Sequence, residues 1–171
     1  MRVISGERMR VVIFSDSHIP RRAKELPAQF LKDAEKSDLA VFLGDATSKL
    51  VIEEVRERVD IVYVIGNMDH FDGPEIRTVE IGGKRIGLLH GHQFGRGDYS
   101  SIQAFAKQHN WDAVFTGHTH RFFFNGYVLN PGSVTGAYSV MADGIPSYVL
   151  LEDGEIIRVT PNGEQSIGSL Y

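Results

Sequence analysis

The chain has 171 residues, 42% of them hydrophobic and 23% charged, with a formal net charge of −4. That length and composition predict one globular domain with an ordinary core, and the mild acidity carries no electrostatic signature of nucleic-acid binding. There is no cysteine, which excludes disulfides, thiolate metal sites and cysteine nucleophiles together. No apolar run approaches the ~20 residues that cross a bilayer, and the opening MRVISGER lacks the apolar segment of a secretory signal. A cytoplasmic protein without membrane contact is the expectation.

In chain order, Met9–Phe14 is a short β-branched run that reads as a buried strand. Residues 1–8 precede it as an extra strand or a loose tail. Leu26–Lys36 reads as a helix with Pro27 in its first turn. Leu39–Leu43 is a second buried strand. Lys49–Arg58 is an amphipathic helix with Leu50, Val51 and Val55 on one side, and Asp60–Ile65 is a third strand. This alternation predicts βαβ units and a parallel sheet.

The pattern then changes. Ile76–Ile81 and Arg85–Leu89 flank Gly82-Gly83 and read as a hairpin. Tyr99–Lys107 is helical and Ala113–Thr116 a strand. Arg121–Phe124 with Tyr127–Leu129, and Ser147–Leu151 with Glu155–Val159, form two more hairpins across Asn125-Gly126 and Asp153-Gly154. The second half is therefore expected to be β-rich and antiparallel. The fold class predicted is α/β, with two packed mixed sheets in a sandwich flanked by helices. The domain spans residues 9–160, between an extension at 1–8 and a polar, mobile tail at 161–171.

Five apolar strands each end in a polar cluster: Ser15-Asp16-Ser17-His18, Gly44-Asp45, Gly66-Asn67-Met68-Asp69-His70, His90-Gly91-His92 and Gly117-His118-Thr119-His120. Six of the seven histidines lie in them, all but His109. If those strands share a sheet, the clusters meet at one rim, where α/β sheets bind ligands. Two carboxylates, an amide oxygen and several imidazoles suit Mn, Fe, Zn, Co or Ni rather than Ca or Mg cages. In an extended chain residues two apart share a side, so Asp16 with His18, and His118 with His120, are placed to reach one site. The glycines beside them let backbone approach closely.

In this order the clusters resemble the calcineurin-like metallophosphoesterase superfamily, whose pattern runs D-x-H, G-D, G-N-H-[DE], a strand-end His and G-H-x-H. The likeness covers about Met9 to Val159. A narrower likeness, to small bacterial and archaeal phosphodiesterases and to the metallophosphoesterase-like subunit of retromer, rests on Ser17-His18-Ile19-Pro20, His90-Gly91-His92-Gln93, the stretch from Asn130 to Tyr138, and Ile145-Pro146-Ser147-Tyr148. The resemblance implies a two-sheet sandwich and two divalent transition-metal ions, Mn²⁺ before Ni²⁺, Co²⁺, Fe²⁺ or Zn²⁺. One ion takes Asp16, His18 and His120, the other Asn67, His90 and His118, and Asp45 bridges them. It further implies hydrolysis of a small phosphodiester by a water activated between the ions. The alternative it carries is a non-catalytic scaffold that binds proteins, as the retromer subunit does. The intact ligand set favours the enzyme.

Met68 departs from the pattern, standing where the family's histidine acts as general acid. His92 and His70 are the candidates to replace it, and Asp69 is expected to orient a neighbour. Arg21, Arg22, Arg96 and Arg121 flank the clusters, with Arg96 in Gly95-Arg96-Gly97 the best substrate clamp. Phe122 to Phe124 alternate faces, which predicts one face in the core and leaves the other for contact between copies. Asn130-Pro131-Gly132-Ser133 reads as a turn that supports the site.

Overall fold

The computed structural model describes residues 1–6 and 8–171, in which twelve strands and three helices form two six-stranded sheets. One sheet is built on β2 (Arg10–Phe14), β3 (Leu39–Phe42) and β4 (Ile61–Tyr63), all parallel. The helices α1 (Ala28–Glu35) and α2 (Lys49–Arg56) connect them. On the other flank of β2 lie β10 (Tyr148–Glu152), β11 (Glu155–Thr160) and β12 (Gly163–Ser169), each antiparallel to its neighbour. The second sheet runs β1 (Arg2–Ile4), β5 (Ile76–Ile81), β6 (Lys84–Leu89), β7 (Ala113–Phe115), β9 (Val128–Pro131), β8 (Phe122–Phe124), and α3 (Tyr99–Gln108) joins β6 to β7.

The period-2 alternation of the strands builds the layers. Val11 and Ile13 of β2 face the other sheet and pack with Ile86, Leu88 and Phe115. Val12 and Phe14, one residue on, face outward under α1 and α2 with Phe30 and Val55. α3 covers the outer face of the second sheet through Ile102, Ala106 and Trp111. The predicted sandwich flanked by helices is therefore the observed architecture.

Four expectations change. The second half is not purely antiparallel: β6 and β7 run parallel because α3 supplies the crossover between them, and β9 runs parallel to β7 because the chain reverses twice through β8. The five cluster-bearing strands do not share one sheet; three belong to the first and two to the second. Leu50 is not on the packed side of α2. Ser48 caps that helix and sets a register that buries Val51, Ile52 and Val55, leaving Leu50 71% exposed. Finally, the tail is not loose. Residues 163–169 pair with β11, and Ile167 and Leu170 pack on the core between the sheets. Within the extension, Arg2–Ile4 pairs parallel with β5, and Glu7 lies outside the described residues. Among the described residues no helix is long and apolar enough to cross a membrane.

Candidate metal centre

The carboxyl ends of β2, β3 and β4 in one sheet and of β6 and β7 in the other meet at one end of the sandwich. Backbone hydrogen bonds stitch their loops together, from Asp16 N–H to Gly44 O and from Gly117 N–H to His90 O. Across the two sheets, the His118 N–H donates to Asp16 Oδ2 at 3.0 Å. Such proximity tolerates no side chain at two positions. A Cβ on Gly66 would lie 2.2 Å from Asp45 Oδ1, and one on Gly117 2.1 Å from Ser15 Oγ.

The loops are not extended, which corrects the reason given for the paired residues. Asp16, His18, Asp45, His118 and His120 all have positive φ, between 47° and 76°. That left-handed conformation is uncommon for residues with a Cβ and persists where the surroundings enforce it. Here they do. Ser133 donates its hydroxyl to Asp16 O and Thr135 donates to Ser17 O. Asn130 Nδ2 donates to Gly117 O and Thr119 Oγ1 at 2.9 and 3.0 Å. The Asn130–Ser133 turn thus supports the site, as expected.

Two clusters of potential ligand atoms result. Asp16, His18, Asp45 and His120 form one, and Asp45, His90 and His118 the other; within each, the ligand atoms lie within 4.8 Å of one another. Asp45 belongs to both. Asn67 lines the same cleft with Met68. These groups fit a cation. His90 Nδ1–H donates to Leu43 O at 2.7 Å and His120 Nδ1–H to Ala137 O at 2.8 Å, so each ring turns its Nε2 lone pair inward. The Nε2 atoms of His18, His90 and His120 lie 3.8, 3.7 and 3.3 Å from Asp16 Oδ1. That oxygen and His90 Nε2 are nonetheless buried without a hydrogen-bond partner. Inward-facing lone pairs of this kind are satisfied by a divalent ion rather than by each other.

The electrostatics put a proton and a cation in competition for these imidazoles, which bind an ion only in the neutral form. Burial alone would push the Asp16 carboxyl up, but His90, His120 and His18 hold it well below the usual carboxylate range. Asp45 is likewise held down, against burial, by His90. Burial disfavours the charged form of His90, yet Asp16 and Asp45 raise it to about 9. Burial, then His90 and Arg96, push His118 down to about 4, which keeps it a neutral donor.

Asp69 touches none of the ligand side chains. Its Oδ2 accepts the N–H of Asp45 and of Gly66, both at 2.8 Å, and its Oδ1 that of Thr47 at 2.9 Å. It clamps the backbone of Asp45, the aspartate common to both clusters. Burial raises its pKa against those donors. Met68 donates its N–H to Asp45 Oδ1 at 2.9 Å.

The cleft holds about 140 Å³ and is lined by His18, Arg22, Asp45, Asn67, Met68, Arg96, His118, His120 and Ser139. Arg96 is in it, and so is Arg22, read from the sequence only as a flanking charge. His92 stands outside that lining, its Nε2 3.5 Å from Glu75, and His70 is exposed. Of the three phenylalanines, Phe122 and Phe124 pack on the core between the sheets, and Phe123 stacks on Tyr99 with centroids 4.0 Å apart. The supports at Leu43 O and Ala137 O had no sequence signal, since a backbone carbonyl is the same in every residue.

The Calcineurin-like phosphoesterase superfamily domain matches residues 9–153. A "Probable metallophosphoesterase" of Methanothermobacter thermautotrophicus is 35% identical over 161 residues, 88% of this chain and 92% of its own. Another, of Methanocaldococcus jannaschii, is 34% identical over 137 residues, 77% and 71% of the two chains. Wild-type Vps29 of Entamoeba histolytica, solved with Zn²⁺, superposes with a TM-score of 0.82 at 32% identity, covering 93% of this chain and 97% of that one. A structure described as a novel archaeal phosphodiesterase shares the fold, with a TM-score of 0.66 at 23% identity over 94% and 99% of the chains. By sequence, by fold and by a buried Asp/His cluster at the strand ends, the chain belongs to the calcineurin-like phosphoesterase superfamily.

Proposed function

We propose that this protein is a dinuclear metal-dependent phosphodiesterase. The observation that carries the reading is Asp45, the single carboxylate common to two adjoining ligand clusters. Asp16, His18, Asp45 and His120 would hold one ion, and Asp45, Asn67, His90 and His118 the other. Bound ions would acidify a water and stabilise charge on the phosphoryl oxygens. The family resemblance puts Mn²⁺ first, and the zinc in the Entamoeba relative puts Zn²⁺ second; the nitrogen and oxygen donors accept either.

The chain's own residues divide the remaining work. Arg22 and Arg96 face the cleft and attract the phosphate anion. The inward lone pairs of His90 and His120 are fixed by Leu43 O and Ala137 O. Asp69 holds the Asp45 backbone in its left-handed turn. In the reaction water adds its oxygen to phosphorus, the bond to the leaving oxygen breaks, and the leaving oxygen finally takes up a proton. Met68 lines the cleft and has no proton to supply. The cysteine-free chain suits a reducing cytoplasm.

The likeness to Vps29 supports a second reading, a scaffold that docks a protein over the cleft. One experiment separates them. Chelated protein is reconstituted with Mn²⁺, Zn²⁺, Co²⁺ or Ni²⁺ and assayed on bis(p-nitrophenyl) phosphate. Metal-dependent turnover that Asp45→Asn abolishes supports the enzyme. Full metal loading without turnover favours the scaffold.

A further inference from the structure

Three consecutive residues of one loop hold the parts of the cleft together. Ala137 O accepts the Nδ1–H of His120 at 2.8 Å. Tyr138 O accepts Arg22 Nη1 at 2.9 Å. Ser139 Oγ accepts Arg96 Nη1 at 2.5 Å. Two backbone carbonyls and the Ser139 side chain of this loop therefore face the cleft residues, and Ser139 itself lines the cleft. Tyr138 is 78% exposed, Val140 83% and Met141 36%. Three large, exposed apolar side chains thus flank Ser139 on a loop bonded to both cleft arginines, beside a site whose lining is polar apart from Met68. Met141 extends towards the loop that carries Arg96: a Cβ on Gly97 would lie 3.0 Å from its Cε.

The size of the cleft says what belongs there. At about 140 Å³ it is well below the roughly 300–1,000 Å³ that encloses a drug-sized ligand. That is room for a phosphoryl group rather than for a whole diester. Whatever organic groups the phosphate carries lie outside, on the rim. The neighbours of an anion held by Arg22 and Arg96 on that rim are Tyr138, Val140 and Met141.

Resting on the phosphodiesterase reading, we propose that Tyr138, with Val140 and Met141, seats the retained ester group of the substrate, and that this group is flat and apolar, an aryl or nucleobase moiety. Tyr138 is then a specificity residue. It acts through the ring, since its carbonyl is already committed to Arg22.

The test uses two substrates with the same leaving group, p-nitrophenyl phenyl phosphate and p-nitrophenyl methyl phosphate, on Mn²⁺-loaded protein. Wild type is expected to favour the phenyl diester through KM. Tyr138→Ala lowers the phenyl-to-methyl ratio of kcat/KM by roughly three- to tenfold. Tyr138→Phe keeps the ratio, and Val140→Ser lowers it in part. An unchanged ratio in Tyr138→Ala overturns the proposal while leaving the phosphodiesterase reading intact. So does a dimer that Tyr138→Ala converts to monomer with kinetics unchanged, since the rim would then be an interface between copies. Wild type that hydrolyses neither diester overturns both readings.

Discussion

His18 and His120, 102 residues apart in the chain, face each other with their Nε2 atoms 3.0 Å apart. His120 turns a lone pair to that contact, because its Nδ1–H is committed to Ala137 O. With Asp16 Oδ1 and His90 Nε2 also buried and unpartnered, the folded chain gathers acceptors that a divalent ion stabilises. Removing metal should therefore lower stability as well as activity. Melting curves with chelator and with added Mn²⁺ or Zn²⁺ check this. At a hundredfold excess over Kd the shift should be roughly 5–10 °C for a chain of this size. An identical melting temperature with and without metal would sink the metal centre.

Asp45 is the ligand whose loss should do most damage, because it alone serves both clusters. Asp45→Ala should bring metal content below one ion per chain, whereas His18→Ala or His90→Ala should each leave one site partly loaded. Elemental analysis of the purified variants decides it. Two ions retained in Asp45→Ala would show that Asp45 does not bridge.

Asp69→Asn tests the clamp. An amide keeps one oxygen for the Asp45 and Gly66 N–H groups but turns an NH₂ towards the Thr47 N–H. The unsatisfied buried donor costs about 1–3 kcal/mol of stability. Activity should fall while the metal content changes little. Unfolding in urea beside elemental analysis separates this from a ligand, whose loss would empty a site.

Met68 lines the cleft where the family pattern has a proton donor. General acid catalysis typically contributes about 10²–10⁴-fold. Hydrolysis should therefore depend steeply on the basicity of the leaving phenol across a series of aryl diesters. Met68→His should flatten that dependence. A flat series in wild type would mean that another group supplies the proton, and His92→Ala would then steepen it.

Tyr148 gives the fold a pH limit through its bond to Asp33, outside the ligand clusters. Its hydroxyl donates to the buried Asp33 Oδ2 at 2.5 Å, and burial, with Asp33 beside it, pushes its pKa far above the ordinary value of 10.0. A phenol whose folded pKa is raised contributes stability that is complete below the unfolded pKa of about 10 and is lost as pH rises past it. Stability should therefore decline above about pH 10. Tyr148→Phe should cost about 1–3 kcal/mol at neutral pH and make the alkaline decline shallower. Urea midpoints between pH 7 and 11 measure both.

Composition and pattern determined much of this protein by themselves. The β-branched runs at Arg10–Phe14 and Leu39–Phe42 could be read as strands because burial on both faces requires apolar residues at every position. The Asp, Asn and His clusters could be read as ligands because few other functions place so many donors directly after apolar strands. Tertiary structure decided the rest. Period-2 patterning marks a strand without naming its neighbour, so it could not tell that the clusters come from two sheets or that β7 and β9 run parallel. The polar residues 163–169 become a strand only because β11 offers an edge and the core accepts Ile167. The left-handed turns at Asp16, His18 and Asp45 are set by Ser133, Thr135 and Asp69 acting from distant segments. So are the ring orientations of His90 and His120, which rest on backbone carbonyls that look the same whatever residue carries them.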